Sequence, residues 1–394
     1  MIQSRTYMPA VRSFLAVSGG PLATRDGASF FAAFLGCLVL LAAASMYFFP
    51  HVIDGDAVGY ESAVRVFAGG EALYIPAGIP EHTLDVVTVH RILMTPLSVG
   101  SLYVFSEIFG SLIGGWLVWD TLFFFGSSIV LYLLLRRFFE SDIVALFGGL
   151  FFAGNYAMVT SGLGMFVDIA AWFFYILALY LVYHYLLVGG YRHLVVAAIV
   201  VSLGGLFKEN AYTALAAMGI ILLFREWRTP IRFLFHAVPL GLIVLLPAVV
   251  HHVSIYMQYG YTYLYWIHLA ENFYTYNSLV AEYIKNLGSL LTLLAPLSLL
   301  GGVLFLRPRW SPFLSNEQRV YIAAVTVSAV PALLWPALEQ RVMFLIIPAL
   351  LLLAGIVLKK YERYWYAFVP VIVLYILIGF LMDAYILDLV NLPF

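Results

Sequence analysis

Apolar runs thread the chain from end to end, separated by short stretches that carry most of its charge. A helix needs about 20 apolar residues to cross roughly 30 Å of hydrocarbon. Candidate spans, two of them well short of that, fall near 28–49, 112–135, 143–161, 166–187, 194–207, 211–224, 233–250, 286–306, 319–336, 342–358 and 365–385. Only helices or closed barrels satisfy the backbone inside a bilayer, so the eleven runs predict an all-α polytopic membrane protein. Composition agrees: 63% of residues are apolar and 10% charged, where a soluble domain carries about 25% charged. A net charge of -1 argues against a nucleic-acid partner. The single cysteine, Cys37, lies inside the first run, which leaves neither a disulfide framework nor a thiolate metal site.

Arg5, Arg12 and Arg25 precede the first run as they would in a secretory signal, but that run is about 22 residues long and predicts a retained anchor behind a cytoplasmic tail, residues 1–27. The segment from Val86 to Phe109 carries His90, Arg91, Pro96 and Glu107 and is taken as a juxtamembrane helix at the interface. Basic residues decide this. With that segment outside the count, the tail, Arg136, Arg137, Arg192, Arg225, Arg228, Arg232, Arg307, Arg309, Arg319, Lys359, Lys360 and Arg363 all fall inside, leaving five of the 20 outside. The expected topology is amino terminus in the cytoplasm and carboxyl terminus outside. Two large outer segments result, 50–111 and 251–285, on one membrane domain spanning 1–394 with no soluble domain. The inner loops are short and basic, so chemistry is expected outside, at a plasma or inner membrane.

The first outer segment opens His51-Val-Ile-Asp54-Gly-Asp56 and continues as a short amphipathic helix that the pair Gly69-Gly70 stops. Either aspartate suits a helix N-cap, and Asp54-Gly55 suits a turn. Glu61 and Arg65, spaced i, i+4, are expected to pair. Asp56, Tyr60, Ala63, the glycine pair and Tyr74 form a pattern that resembles the first loop of the GT-C superfamily of membrane glycosyltransferases. The likeness is to the branch of protein O-mannosyltransferases and the lipid A aminoarabinose transferase. There the aspartate at the position of Asp56 is the proposed catalytic base. His90-Arg91 through Pro96 resembles that family's second juxtamembrane helix. Asp168 resembles its aspartate at the outer start of the fourth span, lining the sugar site. Lys208-Glu209 resembles its lysine between two short spans, and Arg341 through Pro348 its arginine before a proline-containing span. Two features depart from the pattern: Pro96 stands alone where a proline pair is common, and a soluble carboxyl-terminal domain is missing.

Independently of family, the outer cations Arg65, Arg91, Lys208, Lys285 and Arg341 resist the positive-inside rule, so something negative is expected to hold some of them. Lys208 is the sharpest case. Its flanking spans have only about 14 apolar residues each, short of the roughly 20 required, which sinks the lysine below the outer surface. An ammonium there costs roughly 2.5 to 3.5 kcal/mol and needs a partner, either Glu209 or an anionic lipid headgroup.

A lipid-phosphate sugar donor leaves as a stable anion, so cations suffice to stabilise the departing oxygen; Lys208, Arg341 and Arg91 suit that work. A carboxylate must take the acceptor's proton, Asp56 with Asp54 as alternate, and a single displacement would invert the anomeric carbon. Asp168, Tyr60, Glu209 and His90 would bind sugar or acceptor. No cofactor is expected; if a divalent cation is used, Asp54 and Asp56 would be its ligands. Expected partners are a polyprenyl-phosphate sugar, membrane lipids and a glycolipid, polysaccharide or protein acceptor. A flippase of lipid-linked sugar, or a polysaccharide polymerase or ligase, would share the cationic outer pocket. The flippase should show pseudo-symmetric halves, and the polymerase a large arginine-bearing late loop. The second outer segment, dense in Tyr261, Tyr263, Tyr265, Trp266 and Tyr274, suits either an interfacial belt or a lid. Asp120, within the second span, has no evident role.

Overall fold

A computed structural model describes residues 25–49, 56–69, 91, 93–260, 262, 288, 291, 293–333 and 340–382. The described residues contain helices and no strand. In chain order the helices are α1 Arg25–Phe48, α2 Asp56–Gly69, α3 Pro96–Phe109, α4 Leu112–Phe139, α5 Asp142–Ala153, α6 Tyr156–Thr160, α7 Asp168–Val188, α8 Tyr191–Phe207, α9 Ala214–Glu226, α10 Pro230–Tyr259, α11 Leu294–Leu306, α12 Asn316–Leu333, α13 Gln340–Met343, α14 Ile347–Lys360 and α15 Phe368–Leu381. Six helical stretches are long and apolar enough to cross a membrane: 27–48, 112–139, 168–188, 230–257, 341–360 and 362–381. With the shorter apolar helices among them, the chain is an integral membrane protein.

α7 stands at the centre, packed against α4, α8, α9 and α12. Its residues Trp172, Tyr175, Leu179 and Val182 are all fully buried. In lipid the hydrophobic effect does not drive helices together, so close packing and polar contacts must. Tyr175 and Ser328 share a hydroxyl contact of 2.9 Å, and the Tyr321 hydroxyl donates to the Leu179 carbonyl at 2.8 Å. At the contact of α11 with α14, a Cβ on Gly301 would stand 1.9 Å from the Leu353 carbonyl oxygen, so glycine alone lets those backbones meet. Toward the lipid the pattern reverses: Ile231, Phe235, Val238 and Leu242 on α10 are all exposed.

α2 lays Ala57, Tyr60, Ala63 and Val64 against α3 and pairs Arg65 with Glu61 at 2.6 Å on its wet face, as the spacing predicts. α3, with 14 residues, rises about 21 Å, too short to span, and packs between α2 and α4. Proline opens it and Gly110, at φ 67°, closes it. One boundary differs from expectation. The span expected to end at 250 continues as helix to Tyr259, past Pro239 and Pro247, and ends at Gly260 with φ 68°. A proline costs an α-helix one hydrogen bond rather than the whole helix when neighbours repack around it, so neither proline marks the end.

Candidate active site

α8 and α9 form the short hairpin expected around Lys208. With 17 and 13 residues they rise about 25 and 20 Å, less than the roughly 30 Å of hydrocarbon. Between them Lys208 leaves the helix in extended geometry, φ -163° and ψ 140°, and a 3-10 turn over Glu209–Thr213 follows. The hairpin closes on a glycine pair. A Cβ on Gly205 would lie 2.0 Å from the Tyr212 ring, and one on Gly204 2.4 Å from Cβ of Phe174.

Lys208 has a partner 40 residues back in the chain. Its Nζ lies 2.7 Å from Oδ1 of Asp168, and both side chains are buried. Asp168 opens α7, and its Oδ2 faces Nη1 of Arg341 at 3.6 Å. Burial opposes the Lys208 charge, the Asp168 carboxylate and the Tyr60 hydroxyl together outweigh it, and the ammonium is held above its ordinary range. Arg341 and Arg91 both lie close enough to repel Lys208, and the Tyr60 hydroxyl faces it as well. Arg91 places its guanidinium over the Tyr60 ring at 4.8 Å, and Arg341 lies over Phe166 at 4.9 Å. Cations stacked on aromatic faces keep their charge while losing water. Two cations from distant segments therefore meet on one carboxylate, with a third, Arg91, near Lys208.

The surrounding shell fixes these groups. The Trp172 indole donates to the Arg341 carbonyl at 3.2 Å, and Ser98 of α3 donates to the Phe207 carbonyl at 2.7 Å, tying the juxtamembrane helix to the end of α8. Asp120, without evident role in sequence, accepts the Met165 amide at 2.9 Å. Met165 has φ 66°, a left-handed conformation that non-glycine residues seldom adopt, in the turn that delivers Phe166 and Asp168. Asp120 thus anchors the strained turn behind the site. Trp116, beside it, packs edge-on against Tyr60, and the Trp119 indole donates to Ser101 at 3.0 Å.

The structure thus brings together Tyr60, Arg91, Asp168, Lys208 and Arg341. Glu209 lies one residue beyond Lys208 but on the wall of a neighbouring cavity rather than as its partner. Asp56 is the first residue of α2; its side chain, with Asp54 and His90, lies outside the described residues, as does most of the aromatic segment 261–285. No cluster of three or more metal-ligating side chains occurs among the described residues.

Residues 95–253 match the family described as dolichyl-phosphate-mannose-protein mannosyltransferase. That stretch holds Asp120, Asp168, Lys208 and Glu209; it starts after Asp56, Tyr60 and Arg91 and ends before Arg341. The solved structure of ArnT from Cupriavidus metallidurans bound to undecaprenyl phosphate superposes with a TM-score of 0.59 at 16% identity. The chain has the GT-C fold. The match covers 86% of this chain and 62% of that one, so the chain spans about three fifths of the length of its structural relative. The resemblance to the protein O-mannosyltransferase and aminoarabinose transferase branch of the GT-C superfamily is borne out by both findings. No curated protein matches the chain by sequence.

Proposed function

We propose that this GT-C protein is a glycosyltransferase that moves one hexose or pentose from a polyprenyl-phosphate donor to an extracytoplasmic acceptor, with inversion at the anomeric carbon. The observation that carries the reading is the meeting of Lys208 and Arg341 on Asp168, with Arg91 beside them. A polyprenyl phosphate is what such a cluster at the mouth of a short hairpin suits, and the structural relative was crystallised with one. As the sugar leaves, negative charge grows on the bridging phosphate oxygen. Positively charged donors already in place stabilise that charge without reorganising, an effect usually worth 10²–10³ in rate per donor. Asp168 orients the two cations, and its remaining lone pairs suit a sugar hydroxyl.

In the proposed step the acceptor hydroxyl gives its proton to Asp56, with Asp54 as the alternate base. Its oxygen bonds to the anomeric carbon as the bond to phosphate breaks, and the phosphate departs with that electron pair. Tyr60, Glu209 and His90 flank sugar or acceptor. Acceptor candidates are a glycolipid, a polysaccharide or a protein, and the site faces outward with the amino terminus in the cytoplasm. Should a divalent cation take part, Asp54 and Asp56 are its proposed ligands.

The test is transfer of radiolabelled sugar from purified polyprenyl-phosphate monosaccharides to extracted host membranes, with and without chelator. Asp56→Asn, matched to wild type for folding, should lose transfer, and chelator should leave the wild type unchanged. Loss on chelation would favour the paired-aspartate metal site, and wild-type rates in Asp56→Asn would return that residue to a helix cap.

A further inference from the structure

Asp120 does nothing for the helix that carries it. An α-helix satisfies its own backbone in hydrocarbon, so a fully buried carboxylate on α4 is a cost that the span itself does not require. What it serves lies 45 residues further along the chain: its Oδ2 accepts the Met165 amide at 2.9 Å, with the Trp116 indole near the same carboxylate.

Met165 is fully buried at φ 66°, where a side chain crowds the backbone and glycine is the usual occupant. The turn around it has little slack. A Cβ on Gly164 would stand 1.8 Å from the Thr160 carbonyl oxygen, and one on Gly162 2.5 Å from that of Met158. The residues that follow are the ones that hold the cations. Phe166 lies under the Arg341 guanidinium, and Asp168 meets both Lys208 and Arg341. Val167, at the cap position of α7, supplies no side-chain bond of its own, so the start of α7 is set from outside, by α4. We infer that Asp120 is a positioning residue for donor binding: by holding Met165 left-handed it sets where the Asp168 carboxylate stands, and so how Lys208 and Arg341 face a phosphate. The inference rests on the donor reading above and adds the scaffold on which its cations depend.

Binding of bare polyprenyl phosphate is measured on the monodisperse fraction of the full-length detergent-solubilised protein, wild type and variants, with thermal unfolding alongside. Asp120→Leu removes the acceptor and should weaken binding about tenfold, whereas Asp120→Asn keeps an acceptor oxygen and should weaken it about threefold or less. Glycine carries no penalty at positive φ, so in a Met165→Gly background Asp120→Leu should cost about threefold or less. Met165→Val leaves every charge in place, makes the left-handed turn costlier and should weaken binding about threefold or more; it decides the matter if Asp120→Leu does not fold. Four results overturn the inference: wild-type affinity in Asp120→Leu, an equal loss in Asp120→Asn, an undiminished loss in the glycine background, or wild-type affinity in Met165→Val. If wild type binds the lipid no tighter than Lys208→Met does, the donor reading itself fails and this role with it.

Discussion

At the scale of single residues, the Asp168–Lys208–Arg341 cluster makes opposite demands on stability and function. Removing one member of a buried ion pair strands the other, which typically costs about 3 to 5 kcal/mol. Lys208→Met should therefore lower the unfolding temperature in detergent and cut transfer by about 10²-fold or more. Asp168→Leu takes the carboxylate from both Lys208 and Arg341 and should cost more stability than Lys208→Met, which leaves Asp168 paired with Arg341. The reverse order in thermal unfolding would mean that the carboxylate is not what holds these side chains. This scale also shows what sequence can and cannot disclose. Glu61 and Arg65 were legible because helix geometry puts residues four apart side by side. That Lys208 needs a partner was legible from the shortness of its spans, whereas the partner's identity was not. Asp168 lies 40 residues away, and only the packing of α7 against α8 brings the two together. Asp120 was invisible for the same reason: its task is to hold the amide of Met165, and nothing in sequence marks Met165 as left-handed.

At the scale of elements, the α8–α9 hairpin owes its sharp closure to Gly204 and Gly205. Gly205→Ala would drive a Cβ into the Tyr212 ring, and the 3-10 turn carrying Glu209 and Asn210 would have to shift. Overpacking of this kind costs about 1 to 3 kcal/mol. The expected outcome is a lower unfolding temperature and slower transfer, relieved in part by adding Tyr212→Ala; no relief would place the damage elsewhere. Element positions were largely legible because apolar length is a blunt signal that survives any packing arrangement. Ends were less so: α10 outruns its apolar core by several residues to Tyr259, since a helix continues as long as its backbone bonds do, whatever its side chains.

At the scale of the whole molecule, the orientation proposed from the bias of lysine and arginine has a direct test. In a Cys37→Ser background, a cysteine replacing Glu107 should react with an impermeant maleimide in intact cells. One replacing Ser315 should react only after the membrane is opened. The reverse pattern would invert the topology and put the cation cluster on the cytoplasmic face.

The two short helices around Lys208 also say something about traffic. Each is shorter than the hydrocarbon is thick, so a hairpin entering from the cytoplasm would hold the ionic cluster just beneath the headgroups of the outer leaflet. A lipid-borne phosphate arriving in the plane of the outer leaflet would meet Lys208 and Arg341 edge-on, by two-dimensional diffusion, with its tail never leaving the hydrocarbon. The search for substrate would then be lateral, and its rate should depend on membrane fluidity and on the surface density of the lipid rather than on any concentration in water.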